Sequence, residues 1–248
     1  MHQYNLPQKM LLEIIGTTVE TCIQAQQAGA DRIELCNGMK EGGTTPSLGL
    51  IRQARNFLHI PLYPIIRPRG GDFLYTAHEF ETMKADILLC KNAGCDGIVT
   101  GILNADGTVD EKRNAILVAL AYPMDITFHR AFDRTVDAFA ALQTIIKLGF
   151  TCILSSGQQP TAVEGAPLLQ ALIQAANDQI TIMPGSGIKS RHLQQLIEIT
   201  GATHFHASAT TTINSNMQYF NTQLTDDQQK NSVDVAEIKA MKTILNQV

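Results

Sequence analysis

Ala28-Gly29-Ala30-Asp31-Arg32-Ile33-Glu34-Leu35 and Ala93-Gly94-Cys95-Asp96-Gly97-Ile98-Val99-Thr100 are built alike: a small residue, a glycine, an aspartate one turn later, then an apolar run. Glycine after a helix takes the left-handed conformation that closes the last turn, so each copy marks a helix handing over to a strand. The same junction recurs at Leu148-Gly149-Phe150-Thr151 and Thr200-Gly201-Ala202-Thr203. Three further junctions, His59-Ile60-Pro61, Ala121-Tyr122-Pro123 and Asp178-Gln179-Ile180, precede apolar runs over 62–66, 125–128 and 180–183. With 11–15 at the start, the strands number about eight, the count of a closed barrel. Between them, Val19, Cys22, Ile23 and Gln26, then Phe80, Met83, Ile87 and Cys90, then Leu193, Leu196 and Ile197 recur at helical spacing. Roughly thirty residues per strand-helix unit favours closure over an open doubly wound sheet. The expectation is a single-domain α/β protein, a TIM-type (β/α)8 barrel over 11–248 behind an N-terminal extension at 1–10. The stretch 210–231, dominated by Thr, Asn, Gln and Asp, breaks the rhythm and is expected as a polar loop before a last helix at about 233–248.

The composition agrees with a chain that buries one large core: 248 residues, 44% hydrophobic. A net charge of -4 provides no basic field for nucleic acid, so any anion is bound locally. No apolar run is long enough to span a bilayer, and Met1-His2-Gln3-Tyr4-Asn5 has no signal-peptide pattern. A soluble cytoplasmic protein is expected, with no membrane partner. Cys22, Cys36, Cys90, Cys95 and Cys152 form no C-x-x-C pair and are odd in number, which indicates reduced thiols rather than a disulfide framework.

Barrels bind ligands at the C-terminal ends of their strands. The first strand delivers Glu13 there, the second Glu34 and Cys36, the third Arg67 and Arg69, the fifth His129 and Arg130, the sixth Ser155 and Ser156, and the eighth His206 and Ser208. Side chains alternate along a strand, so the terminal polar residues can all face inward. Glu13, Glu34, Arg67, His129 and His206 would then converge as a catalytic acid–base cluster, in which histidine moves protons and a carboxylate near arginine stays ionised. A buried ion-pair network stabilising the barrel top is the other reading.

Two arginines at the exit of an apolar strand, Ile65-Ile66-Arg67-Pro68-Arg69-Gly70-Gly71-Asp72-Phe73, call for an anion or paired carboxylates. Gly185, Ser186 and Gly187 end the seventh strand ahead of a helix, and Ser208 follows the eighth. Such a turn suits phosphate, through backbone N–H groups and the positive end of the helix, and it also serves as a plain turn. Arg69, Gly185, Ser186, Gly187 and Ser208 are therefore the candidate anion-binding residues. Cys36 is the one thiol at a strand exit and the candidate metal ligand, since thiolate and imidazole select Cu(I).

Five motifs together resemble the copper homeostasis CutC family: the Ala28 to Cys36 junction, Glu41-Gly42-Gly43-Thr44-Thr45-Pro46-Ser47, the Arg67 run, Thr127-Phe128-His129-Arg130-Ala131-Phe132-Asp133, and Met183-Pro184-Gly185-Ser186-Gly187-Ile188. The likeness runs from about Leu12 to Ser208. It implies a TIM-type barrel, a cytoplasmic role in copper tolerance or trafficking, Cu(I) binding through cysteines, and a homo-oligomer such as a dimer. Members commonly carry Leu-Glu-Val-Cys in the first strand, whereas this chain reads Leu12-Glu13-Ile14-Ile15; of the family's upper-face thiols, Cys36 alone carries over.

Two functions follow as expectations. In one the chain binds or traffics Cu(I) through Cys36. In the other it is an isomerase- or lyase-like enzyme transferring protons on a small phosphorylated or carboxylate metabolite, held by the glycine turn and Arg67.

Overall fold

The computed structural model describes residues 10–221, 223 and 229–247; most of the expected N-terminal extension lies outside them. Eight strand-helix units follow one another: β1 (Leu11–Gly16) and α1 (Val19–Ala28), β2 (Arg32–Leu35) and α2 (Leu48–Phe57), β3 (Leu62–Pro64) and α3 (Ala77–Asn92), β4 (Gly97–Thr100) and α4 (Glu111–Ala121). The second half repeats the pattern with β5 (Asp125–Phe128) and α5 (Ala138–Leu148), β6 (Cys152–Ser155) and α6 (Ala166–Ala176), β7 (Thr181–Pro184) and α7 (Ser190–Thr200), then β8 (His204–Ala207). The helix α8 (Val235–Leu245) completes the eighth unit. All four predicted glycine junctions have positive φ: 104° at Gly29, 77° at Gly94, 90° at Gly149 and 68° at Gly201.

The strands pair in parallel as β3-β2-β1-β8 and β4-β5-β6-β7. The halves meet beyond Pro64, where Ile65 bridges to Val99 and the Ile66 N–H donates to the Val99 carbonyl at 2.7 Å. At the other seam β7 and β8 lie side by side: a Cβ on Gly185 would stand 3.3 Å from that of His206. Leu12, Ile14, Ile33, Leu62, Ile98 and Ile153 are buried in one continuous core with Met83, Leu117, Leu142 and Leu169 from the helices. The clusters Cys36–Tyr63–Ile65–Val99 and Cys152–Leu154–Met183 are separate from that core and fill the barrel itself.

The segment expected as a loop at 210–231 is different in its described part. Thr210–Asn214 forms β9 and Gln229–Val233 forms β10, an antiparallel ribbon inserted between β8 and α8. Such a pair is held by main-chain hydrogen bonds and suits β-branched Thr and Val, so it needs no continuous apolar face to form. The Asp234 side chain then accepts from the Glu237 N–H and starts α8.

Candidate functional site

Register builds the centre of the site. In the parallel ladders Glu13 on β1 stands opposite Arg32 on β2 and opposite His206 on β8. Its carboxylate is fully buried, takes the Arg32 Nε–H on one oxygen, and lies 2.7 Å from His206 Nδ1 on the other. Arg32 is held in turn by the Tyr63 ring, 4.4 Å from its guanidinium, and by Met183 Sδ at 3.3 Å. Burial alone would raise the Glu13 pKa, but Arg32 and His206 outweigh it and hold it down to about 2. Glu13 is a fixed anion beneath the cavity floor.

Glu34 is two residues beyond Arg32 on the same face of β2. Its carboxylate is 3.4 Å from His206 Nε2, so the imidazole spans two carboxylates. Burial, with Glu13 nearby, raises the Glu34 pKa to about 7 against the opposing pull of His206. Burial works against the His206 proton, but Glu34 and Glu13 overcome it, and its pKa is raised. One side-chain oxygen or nitrogen from each of Glu13, Glu34 and His206 lies within 4.8 Å of the other two. The Cys36 thiol is pushed well above the ordinary thiol range by burial and then by the charges of Glu34 and Glu13. It is a protonated thiol, not a free thiolate.

Above this floor opens a cavity of about 1110 Å³, with Glu34, Cys36, Arg67, His129, His206 and Ser208 on its wall. Arg67 is 4% exposed, and its guanidinium donates to the carbonyls of Glu41 and Gly43 at 2.7 Å and of Gly71 at 2.9 Å. His129 follows β5, and its Nδ1 accepts from the Ala131 N–H at 3.3 Å. Burial and then the Arg67 charge push the His129 pKa down to about 3. Its ring is neutral in the working pH range, with its proton on Nε2. A ring that stays neutral can donate from Nε2 but is not suited to act as a base, whereas Glu34 has its pKa raised to about 7.

The residues expected from sequence to bind an anion separate. Ser186, Gly187 and Ser208 line the cavity, while Gly185 sits behind, packed on His206. Arg69 is not on the cavity wall: it binds Glu79 at 2.6 Å and Asp72 at 2.9 Å, the carboxylates that Arg67 lacks. Glu79 also accepts from the Thr76 N–H as part of the α3 capping box, so Arg69 secures a helix start. The start of α7 is occupied too, because Glu237 accepts from the Ser190 N–H at 2.6 Å and the Ser190 hydroxyl at 2.9 Å. A protein carboxylate thus meets the first N–H of the helix whose positive end was expected to help hold an anion. Ser155 and Ser156 bind Asp133, which also pairs with Arg130 at 2.8 Å.

Arg32 and Phe73 were not among the candidates from sequence. Arg32 was readable: it stands at even spacing from Glu34 and Cys36, and an arginine facing into a barrel requires a carboxylate. Phe73 carried no such signal.

A closed parallel barrel with titratable side chains gathered at the C-terminal strand ends, around an open cavity, places the chain among barrel proteins built to carry a site at that end. Within that class the chain belongs to the CutC family, whose model matches residues 10–211. It is 48% identical over 214 residues to the human copper homeostasis protein cutC homolog, covering 86% of this chain and 78% of the relative. It is also 48% identical over 209 residues to the family protein CutC of Chromobacterium violaceum, covering 84% and 85%. The crystal structure of the CutC protein from Streptococcus agalactiae superposes with a TM-score of 0.77 at 32% identity, covering 80% of this chain and 98% of that one. Phosphoribosylanthranilate isomerase from Thermotoga maritima shares the fold alone, with a TM-score of 0.60 at 11% identity over 96% of this chain and all of that one.

Proposed function

We propose that this chain handles Cu(I) in copper homeostasis, the role named for its relatives, with Cys36 as the capturing thiol. The observation that carries this reading is that Cys36 lines the same cavity wall as Glu34 and His206. On capture an S–Cu bond replaces the S–H bond, and the neighbouring Glu34 carboxylate is placed to take the thiol proton. A soft thiol on a wall shared with an imidazole suits a monovalent soft cation better than the surrounding carboxylates do. The test is an anaerobic Cu(I) competition titration of the wild type and Cys36→Ala. Binding that is absent, or indifferent to the substitution, overturns the reading.

A second reading is favoured by the His206 bridge between Glu13 and Glu34. Glu13 fixes the ring and holds its charge, while Glu34 meets the cavity, an arrangement able to take a proton from a bound molecule and return it. In this reading the barrel is an isomerase- or lyase-like enzyme acting on a small anionic metabolite. A thermal-shift screen against metabolites that stabilises the wild type with none of its members removes it.

A further inference from the structure

Among the described residues, Arg67 and His129 are the buried cavity-wall side chains that leave a polar atom without a partner. Arg67 carries a permanent charge, is nearly fully buried, and its hydrogen-bond partners are three carbonyl oxygens. Among the described residues no carboxylate stands within ion-pair distance of it, although every other buried charge around the barrel has one: Arg32 has Glu13, and Glu13 and Glu34 have His206. Carbonyl dipoles orient a guanidinium but leave its net charge uncompensated in a low-dielectric site. The Tyr75 hydroxyl beside it adds no negative charge.

His129 lacks something else. With Nδ1 accepting from Ala131, the ring must carry its hydrogen on Nε2, and that buried donor has no partner. An unpaired buried donor is costly unless something is meant to meet it. Both residues contact Phe73: the Arg67 guanidinium is 5.1 Å from the ring centroid, and the imidazole centroid is 4.8 Å from it. Phe73 is half-buried and, like them, lines the cavity. One aromatic ring therefore packs over a cation without a counter-charge and over a donor without an acceptor.

We infer that Arg67 and His129 form a subsite for a carboxylate, or for the enolate oxygen derived from one, covered by Phe73: Arg67 supplies the charge and His129 Nε2–H a hydrogen bond. The inference deepens the metabolite reading by naming the ligand class and the role of His129 as a donor rather than a base. It is independent of copper at Cys36. Phosphate fits less well, because most of the Arg67 fork is already spent on carbonyls and the start of α7 is closed by Glu237. The neutral ring also matches the task, since an imidazole that keeps its hydrogen can polarise a carbonyl or hold an oxyanion without losing its proton to it.

The experiment uses the full chain labelled with 15N-histidine and titrated with oxalate, and in parallel with inorganic phosphate. Expected are a neutral His129 with its proton on Nε2 from pH 5 to 8, a saturable oxalate-dependent shift of that proton, and a smaller response to phosphate. His129→Phe, which keeps an aromatic ring and removes the donor, should weaken oxalate binding by about tenfold, the effect of one buried hydrogen bond. Phe73→Ala uncovers the pair and should bind oxalate at least as well as the wild type. The subsite is overturned if oxalate leaves His129 unmoved in both wild type and Phe73→Ala, if His129→Phe binds as tightly as the wild type, or if phosphate binds more tightly than oxalate. A metabolite hit in the thermal-shift screen alongside any of these results would sink the subsite and leave the metabolite reading standing; an empty screen beside a clear oxalate response would do the reverse.

Discussion

His206 Nδ1 lies 2.7 Å from Glu13 Oε1, joining residues 193 positions apart and tying the last barrel strand to the first. The contact has two consequences. It locks the β8–β1 pairing with a charge-assisted bond in the barrel interior, and it turns the other face of the imidazole toward Glu34 and the cavity. One side chain thus serves barrel closure and the cavity wall together.

Glu13→Gln tests the structural half. The substitution removes the negative charge and leaves Arg32 buried against Tyr63 and Met183 with no carboxylate opposite it. Breaking a buried pair by neutralising one partner costs about 3–5 kcal/mol. Urea unfolding should show the free energy of unfolding falling by that amount through a lower midpoint at unchanged slope; a change below about 1 kcal/mol would mean that the cluster does not hold the barrel.

The pH dependence of stability has two limbs of opposite sign. Glu13, held down to about 2 from an ordinary 4.5, stabilises the fold above pH 4.5, and this contribution is lost as pH falls toward 2. Glu34, raised from 4.5 to about 7, prefers its proton in the fold, so its contribution is present below 4.5 and fades as pH rises through 7. His206, also raised, acts in the same direction as Glu34. Thermal unfolding across pH 2–9 should pass through a maximum between the limbs. Glu13→Gln should flatten the acid limb, and Glu34→Gln the alkaline one.

The barrel was legible because its signals are local. Gly29, Gly94, Gly149 and Gly201 announce helix ends by backbone conformation alone, and the structure gives all four positive φ. Glu34, Arg67, His129, His206 and Cys36 were legible as a group because strand exits in this fold share one rim. Their roles were not. That His129 gives up basicity to burial and Arg67, while Arg69 finds Asp72 and Glu79, depends on three-dimensional neighbours that spacing does not encode. The Gly185–Gly187 turn looked like a phosphate cradle because nothing near it in sequence reveals that Glu237, 47 residues beyond Ser190, caps the helix that follows.

Glu237→Ala should expose this arrangement. The α7 start has no cap from its own Lys189, so Glu237 supplies what an N-cap side chain otherwise would. Loss of such a cap costs about 1 kcal/mol. Chemical denaturation should show that loss, and hydrogen exchange should speed up at Ser190 and its neighbours while β1 and β2 are unaffected. Exchange accelerated equally throughout the barrel would contradict a local cap.

Gly101 and Gly94 separate two reasons for conserving space at a glycine. A Cβ on Gly101 would stand 2.9 Å from His129 Nδ1 and 3.0 Å from Phe128 Cζ, both buried, and nothing at Gly101 requires a left-handed backbone. At Gly94 the case is reversed, with open space around the Cβ but a φ of +77°. Gly94→Ala should therefore cost only the conformational term, about 1 kcal/mol, and leave the cavity intact. Gly101→Ala must push the His129 ring, at about 1–3 kcal/mol for overpacking, and should break the Ala131 N–H bond that fixes its proton on Nε2. Histidine 15N spectra of Gly101→Ala are then expected to show a mixture of tautomers, whereas those of Gly94→Ala match the wild type. An unshifted His129 in Gly101→Ala would mean that this glycine does not position the ring, and that its orientation is set by Phe73 and Ala131 alone.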